Sequence, residues 1–192
     1  MSGIASAYEC AIGQQMTDFQ QDQWRSASAI YGLAFSADGT WLAAAQAYGR
    51  PFLCETSTWQ LIERADLNPR QFISVSFAPS GKQLVTGEDG GTVQLWTAQP
   101  LRPVAEIGHH KARIKSVAFS PDGKEVISSG DDNMIALWDV SRRKFITRIG
   151  LHTAPVYTVS FSPNGKQLVS GGHDHSVRLY TRHRTVWGFR VK

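Results

Sequence analysis

Four phenylalanines, Phe35, Phe77, Phe119 and Phe161, follow one another at a constant spacing of 42 residues. Each closes a short apolar stretch and opens the same phrase. The phrase reads Phe35-Ser36-Ala37-Asp38-Gly39, Phe77-Ala78-Pro79-Ser80-Gly81, Phe119-Ser120-Pro121-Asp122-Gly123 and Phe161-Ser162-Pro163-Asn164-Gly165. A fixed period of this length marks one supersecondary unit stacked repeatedly, each unit burying its apolar faces against its neighbours. Such stacks build extended binding surfaces more readily than a single catalytic cleft.

The third unit is the clearest. Ile114 to Phe119 is a strand whose apolar residues fall at its first, fourth and sixth places rather than on strict alternation, the slip a β-bulge produces. Ser120-Pro121-Asp122-Gly123 is a turn, with proline fixing φ and glycine taking the left-handed position. Glu125 to Ser129 is a second strand, and Asp131-Asp132-Asn133 a second tight turn. Met134 to Trp138 is a third strand, Ser141 to Lys144 a polar loop, and Phe145 to Ile149 a fourth strand. Each unit is thus a four-stranded antiparallel meander. No stretch carries a sustained helical period, so the expected class is all-β. With 42% hydrophobic and 19% charged residues the chain is globular rather than disordered.

These residues resemble the WD-repeat family of β-propellers over about residues 28–192. The third unit carries Gly108-His109-His110 ahead of its first strand and Leu137-Trp138-Asp139 closing its third. The resemblance implies a small or partial propeller with about four blades, near 28–69, 70–111, 112–153 and 154–192. Residues 1–27 then read as a degenerate half blade or an N-terminal closing segment. The resemblance also implies an internal hydrogen-bonded tetrad: His110, Ser128, Asp132 and Trp138 in the third unit, and His152, Ser170 and Asp174 in the fourth, where Tyr180 replaces tryptophan. A His, Ser and Asp together also suggest a hydrolase triad, but recurrence at blade spacing favours a rigidifying role. The second unit keeps Thr86 and Trp96, with Asn68 at the histidine place and Asp89 one residue early. The first has Ser26, Ala44, Tyr48 and Cys54 and forms no tetrad; its Pro51 also removes a strand donor. Stability is expected to fall from the third blade to the fourth, the second and the first.

Four blades at the angle of a seven-bladed ring sweep only about 200° and leave two open flanks. The sequence leaves open whether two copies join as a homodimer, whether the chain is a piece of a larger propeller, or whether four blades close at a changed angle.

In a blade, the links before the first strand and between the second and third strands share one face, the top; the other turns share the bottom. In this family the top rim usually docks partners, through positions that fall here at Ala29, Tyr31, Gln71, Ile73, Arg113, Lys115, Pro155 and Tyr157. Tyr31, Tyr157, Arg113 and Lys115 make an aromatic and basic patch, residue types favoured as anchors. The bottom carries Lys82, Lys124 and Lys166 after the turn glycines, with Arg142, Arg143 and Lys144, then Arg182 and Arg184, in successive links. Such a face fits phosphates or an acidic partner, although a solvated surface is the simpler reading and aromatic residues for base stacking are not evident. His109, His173 and His175 show no metal-ligand spacing, so no metal or cofactor is expected. Nor does any phosphate loop, dinucleotide fingerprint or nucleophile elbow appear.

Met1 to Gln15 has no basic region followed by an apolar core, and no run approaches a membrane span. A cytoplasmic location with Cys10 and Cys54 reduced is therefore expected, with no membrane association. The sequence points to a non-enzymatic scaffold docking a peptide or protein on its top rim. The alternatives are nucleic-acid or acidic-partner binding through the basic bottom, or a propeller fragment of a larger signalling or catalytic protein.

Overall fold

Each repeat forms one four-stranded antiparallel sheet, and the chain builds four of them in succession. The computed structural model describes residues 28–49, 51–64, 70–183 and 186–190; the segment 1–27 lies outside them. The first blade contains β1 (Ile30–Phe35), β2 (Trp41–Gln46), β3 (Phe52–Glu55) and β4 (Leu61–Arg64). The second contains β5 (Phe72–Phe77), β6 (Gln83–Glu88), β7 (Thr92–Thr97) and β8 (Arg102–His109). The third contains β9 (Ile114–Phe119), β10 (Glu125–Gly130), β11 (Met134–Asp139) and β12 (Lys144–Leu151), and the fourth β13 (Val156–Phe161), β14 (Gln167–Gly172), β15 (Val177–His183) and β16 (Val186–Arg190). The order within each sheet follows the chain, as in a meander. No helix among the described residues is long and apolar enough to cross a membrane.

The turn phrase explains the first hairpin of every blade. Gly39, Gly81, Gly123 and Gly165 take positive φ, between 66° and 73°. Each donates its amide to the carbonyl three residues back at 2.9 Å. The hydroxyls of Ser36, Ser120 and Ser162 donate to Asp38, Asp122 and Asn164 at 2.6, 2.7 and 2.7 Å, locking the turn from inside. These bonds hold the Asp38 carboxyl down at about 2 and lower that of Asp122. In the first blade Pro51 trims the third strand, which begins at Phe52 and runs 4 residues, against 6 in β7 and β11.

The bulge expected in the third blade is present in all four. The pairing of the first strand with the second slips between Ile30 and Gly32, Phe72 and Ser74, Ile114 and Ser116, and Val156 and Thr158. The extra residues are Tyr31, Ile73, Lys115 and Tyr157; Tyr31 and Tyr157 are exposed, whereas Ile73 and Lys115 are half-buried.

The core lies between blades. Ala43, Ala45 and Leu53 of the first blade pack on Phe72, Val75, Phe77 and Trp96 of the second. Val85, Val93 and Leu95 meet Ile114, Val117, Phe119 and Trp138. Ile127, Ile135 and Leu137 meet Val156, Val159, Leu168 and Tyr180. The inner strands follow suit, β1 on β5, β5 on β9 and β9 on β13, with no comparable packing from β13 back to β1. The described blades therefore form an open arc and do not close upon themselves. Exposure at the two ends agrees: Phe35 is 59% exposed where Phe77 and Phe119 are 8%, and Val177 is 83% exposed where Val93 and Ile135 are fully buried.

Candidate functional site

The side chains that suggest chemistry at first sight are committed to structure. His110 sits in front of β9 with one ring nitrogen, Nδ1, 3.0 Å from the Asp132 carboxylate and the other, Nε2, 2.6 Å from Ser128 Oγ. Trp138 donates its indole N–H to the same oxygen at 2.6 Å. Asp132 also accepts the amides of Lys111 and Met134, both at 3.2 Å. Burial opposes ionisation of Asp132, but the bonds from His110 and the two amides outweigh it and hold the carboxyl below its ordinary value. His110 and Ser128 are fully buried beneath the indole, so this triple offers no nucleophile to a substrate.

The fourth blade repeats the arrangement, with His152 Nδ1 2.8 Å from Asp174 and Nε2 2.7 Å from Ser170 Oγ. Bonds from His152 and then Ser176 hold Asp174 ionised well below the usual carboxylate range. The second blade keeps one link, Trp96 Nε1 donating to Thr86 Oγ1 at 2.8 Å; Asn68 lies outside the described residues, as does Ser26. In the first blade Ala44 and Cys54 occupy the hydroxyl and indole places, and burial pushes the Cys54 thiol up to about 12, which leaves no thiolate for chemistry.

The top rim is built by backbone bonds that recur in every blade. The carbonyl ahead of each first strand accepts the amide just after the second strand. The pairs are Ala29 with Ala47, Gln71 with Asp89, Arg113 with Asp131 and Pro155 with His173, at 2.8–2.9 Å. The turn after each second strand is thereby tied to the residue just ahead of the first strand. Tyr31 on the first blade and Tyr157 on the fourth project with about half their surface exposed, and Tyr48, at φ 49° in the first blade's second turn, is 75% exposed.

The structure qualifies the expected basic character of this rim. Arg113 is paired with Asp89 across the gap between the second and third blades, and Lys115 lies 3.3 Å from Asp131 within its own blade. Tyr157 Oη is 3.1 Å from His173 Nδ1, with the rings edge to face at 5.7 Å, and the His175 ring lies 6.0 Å beyond. The rim therefore carries exposed tyrosines on the first and fourth blades and ion-paired cations on the third. Sequence reading missed Asp89, Asp131 and His173 as rim members. Their signal was the period itself, because Ala47, Asp89, Asp131 and His173 share one register.

At the bottom, Lys82, Lys124, Lys166, Arg142 and Arg143 are all exposed. Arg142 pairs with Asp139 at 3.2 Å, and Arg182 makes a two-pronged bond to Glu125 of the preceding blade at 2.7 and 2.8 Å. Arg184 lies outside the described residues. A groove of about 490 Å³ opens here between the second and third blades, lined by Gln83, Val104, Lys124, Asp139 and Arg143 among others. It carries charges of both signs, and the top rim is the better defined candidate for docking.

Four stretches of the chain, 19–49, 69–97, 101–139 and 143–181, match the family described as WD40, the WD domain or G-beta repeat. No curated protein matches the chain significantly.

Proposed function

The chain belongs to the WD40-repeat family, and we propose that it is a non-enzymatic scaffold docking a peptide or protein surface on the rim of Tyr31, Gln71, Ile73, Arg113, Lys115 and Tyr157. WD40 repeats generally mediate protein–protein interaction. The observation that carries the reading is the union of a fixed backbone with outward aromatic side chains. The carbonyl–amide bonds hold each rim position in place, and the bulges present Tyr31 and Tyr157 to solvent. Tyrosine on a rigid support supplies large contact area at small entropic cost, which is the character of an interface anchor. The ion pairs Arg113–Asp89 and Lys115–Asp131 fit a partner of mixed polarity better than a polyanion.

The test is selection of binders from a displayed random-peptide library on the wild-type chain. Tyr31→Ala and Tyr157→Ala are each expected to weaken the selected peptides roughly tenfold or more, while Lys124→Glu with Arg143→Glu leaves them unchanged. If binding instead falls steeply with salt and vanishes on reversing Lys124 and Arg143, the contact lies on the basic bottom and the rim reading is wrong.

A further inference from the structure

We propose that the open flanks of the first and fourth blades are two halves of one interface, and that a second copy of this chain fills both, giving a two-fold ring. The inference is independent of what the rim binds. It rests on continuity with the interface that already repeats inside the chain.

At each internal junction, a residue on the second strand of one blade packs in the same core as a residue on the first strand of the next. The pairs are Ala43 and Val75, Val85 and Val117, and Ile127 and Val159. The period places Val169 next in the first series and Leu33 at the head of the second. These two are the members left uncovered, Val169 at 41% and Leu33 at 62% exposed, with Phe35 and Val177 beside them.

Hydrogen bonding points the same way. The first strand of each blade is an inner edge whose amides at two positions turn away from its own sheet. Val117 N–H donates to Ser74 Oγ at 3.1 Å, Phe119 N–H to Ser76 Oγ at 3.2 Å and Val159 N–H to Ser116 Oγ at 3.4 Å, each across a blade junction. Leu33 pairs with Ala44 and Phe35 with Leu42 in the register that Val117 and Phe119 have with Ser128 and Val126, so their amides turn outward in the same way. No hydroxyl among the described residues meets them. On the opposite flank Thr158 and Ser160 stand at the places of Ser74 and Ser76. Ser160 donates to the Phe161 carbonyl at 3.3 Å, as Ser76 does to Phe77 at 3.5 Å, which leaves its oxygen able to accept, and Thr158 and Ser160 are both exposed. One flank thus lacks acceptors and the other lacks donors, at matching heights, with apolar residues between.

A copy set head to tail would bring its Leu33 and Phe35 amides to Thr158 and Ser160. The contact is heterologous, so it must close or propagate. Four blades from each copy make a ring of about eight, within the range propellers adopt, and a two-fold axis consumes both flanks at once.

The experiment is the mass of the full 192-residue chain by light scattering on a sizing column, for the wild type, Leu33→Asp, Val177→Asp and an equal mixture of the two variants. Circular dichroism checks that each variant stays folded, as expected for residues that are exposed in one copy. The wild type should run at twice the chain mass and each variant at the chain mass. The mixture should recover a dimer, because it retains one intact flank pair. Thr158→Val with Ser160→Ala, which keeps the apolar contact, should weaken the dimer roughly tenfold. A wild-type monomer at micromolar concentration overturns the proposal. Variants that remain dimeric, or a mixture that stays monomeric, overturn the head-to-tail pairing; a ladder of growing oligomers overturns the closed ring.

Discussion

Ser128 and Ser129 are neighbours on β10, both fully buried, and they show how a hydroxyl's worth depends on its partners. Ser128 Oγ joins the His110 ring to the Trp138 indole, whereas Ser129 Oγ finds no hydrogen-bond partner among the described residues. Ser128→Ala strands two buried groups and is expected to cost about 1–3 kcal/mol; Ser129→Ala removes a hydroxyl that was already unsatisfied and should be neutral or stabilising. Urea unfolding of the two variants measures the difference, and equal losses would contradict the assigned network. The tetrad was legible only through the resemblance to WD-repeat proteins, whose motif falls on His110, Ser128, Asp132 and Trp138 and one period later on His152, Ser170 and Asp174, with Tyr180 in place of tryptophan. The neutralising of Arg113 and Lys115 was not, since it depends on a turn folding back beside the strand that follows or precedes it.

At the scale of the blade, strand positions and bulges could be read directly from the apolar places of β9, and the same bulge in the other blades followed from the period. The serine links between blades could not. Ser74, Ser76 and Ser116 look like ordinary polar positions of a half-exposed strand, and only the packing of β5 on β9 and β9 on β13 reveals them as acceptors. The links also sharpen the expected ranking of the blades. The third blade has a complete tetrad, a covered flank on either side and amide–serine bonds to both neighbours. The first has no tetrad, a shortened β3, Gly32 and Ala34 where serines would stand, and an exposed Phe35. Local opening is easiest where buried contacts are fewest. Hydrogen exchange is therefore expected to be slowest in β9 to β11, intermediate in the fourth and second blades and fastest in β1 to β3. Faster exchange across residues 114–139 than across 30–55 would refute the ordering.

For the whole molecule, the period counts the units but does not fix the angle between them, which is why the sequence left three ways of closing the ring. The junctions differ in side-chain volume at equivalent places, with Ala43 beside Val75 in the first and Ile127 beside Val159 in the third. The outcome is an arc whose ends are unlike each other but alike to its internal junctions. If two copies complete one another, unfolding is coupled to dissociation and stability acquires a concentration term. A tenfold rise in chain concentration then adds about 1.4 kcal/mol for each dimer, or about 0.7 kcal/mol for each chain. For a chain of this size that raises the melting temperature by about 2 °C. Leu33→Asp should abolish the dependence and give one melting temperature at every concentration, equal to that of the separate arc. Calorimetric scans of the wild type and this variant over a hundredfold concentration range would decide it, since a flat wild-type series is incompatible with coupled unfolding and a variant that still rises places the contact away from the first blade.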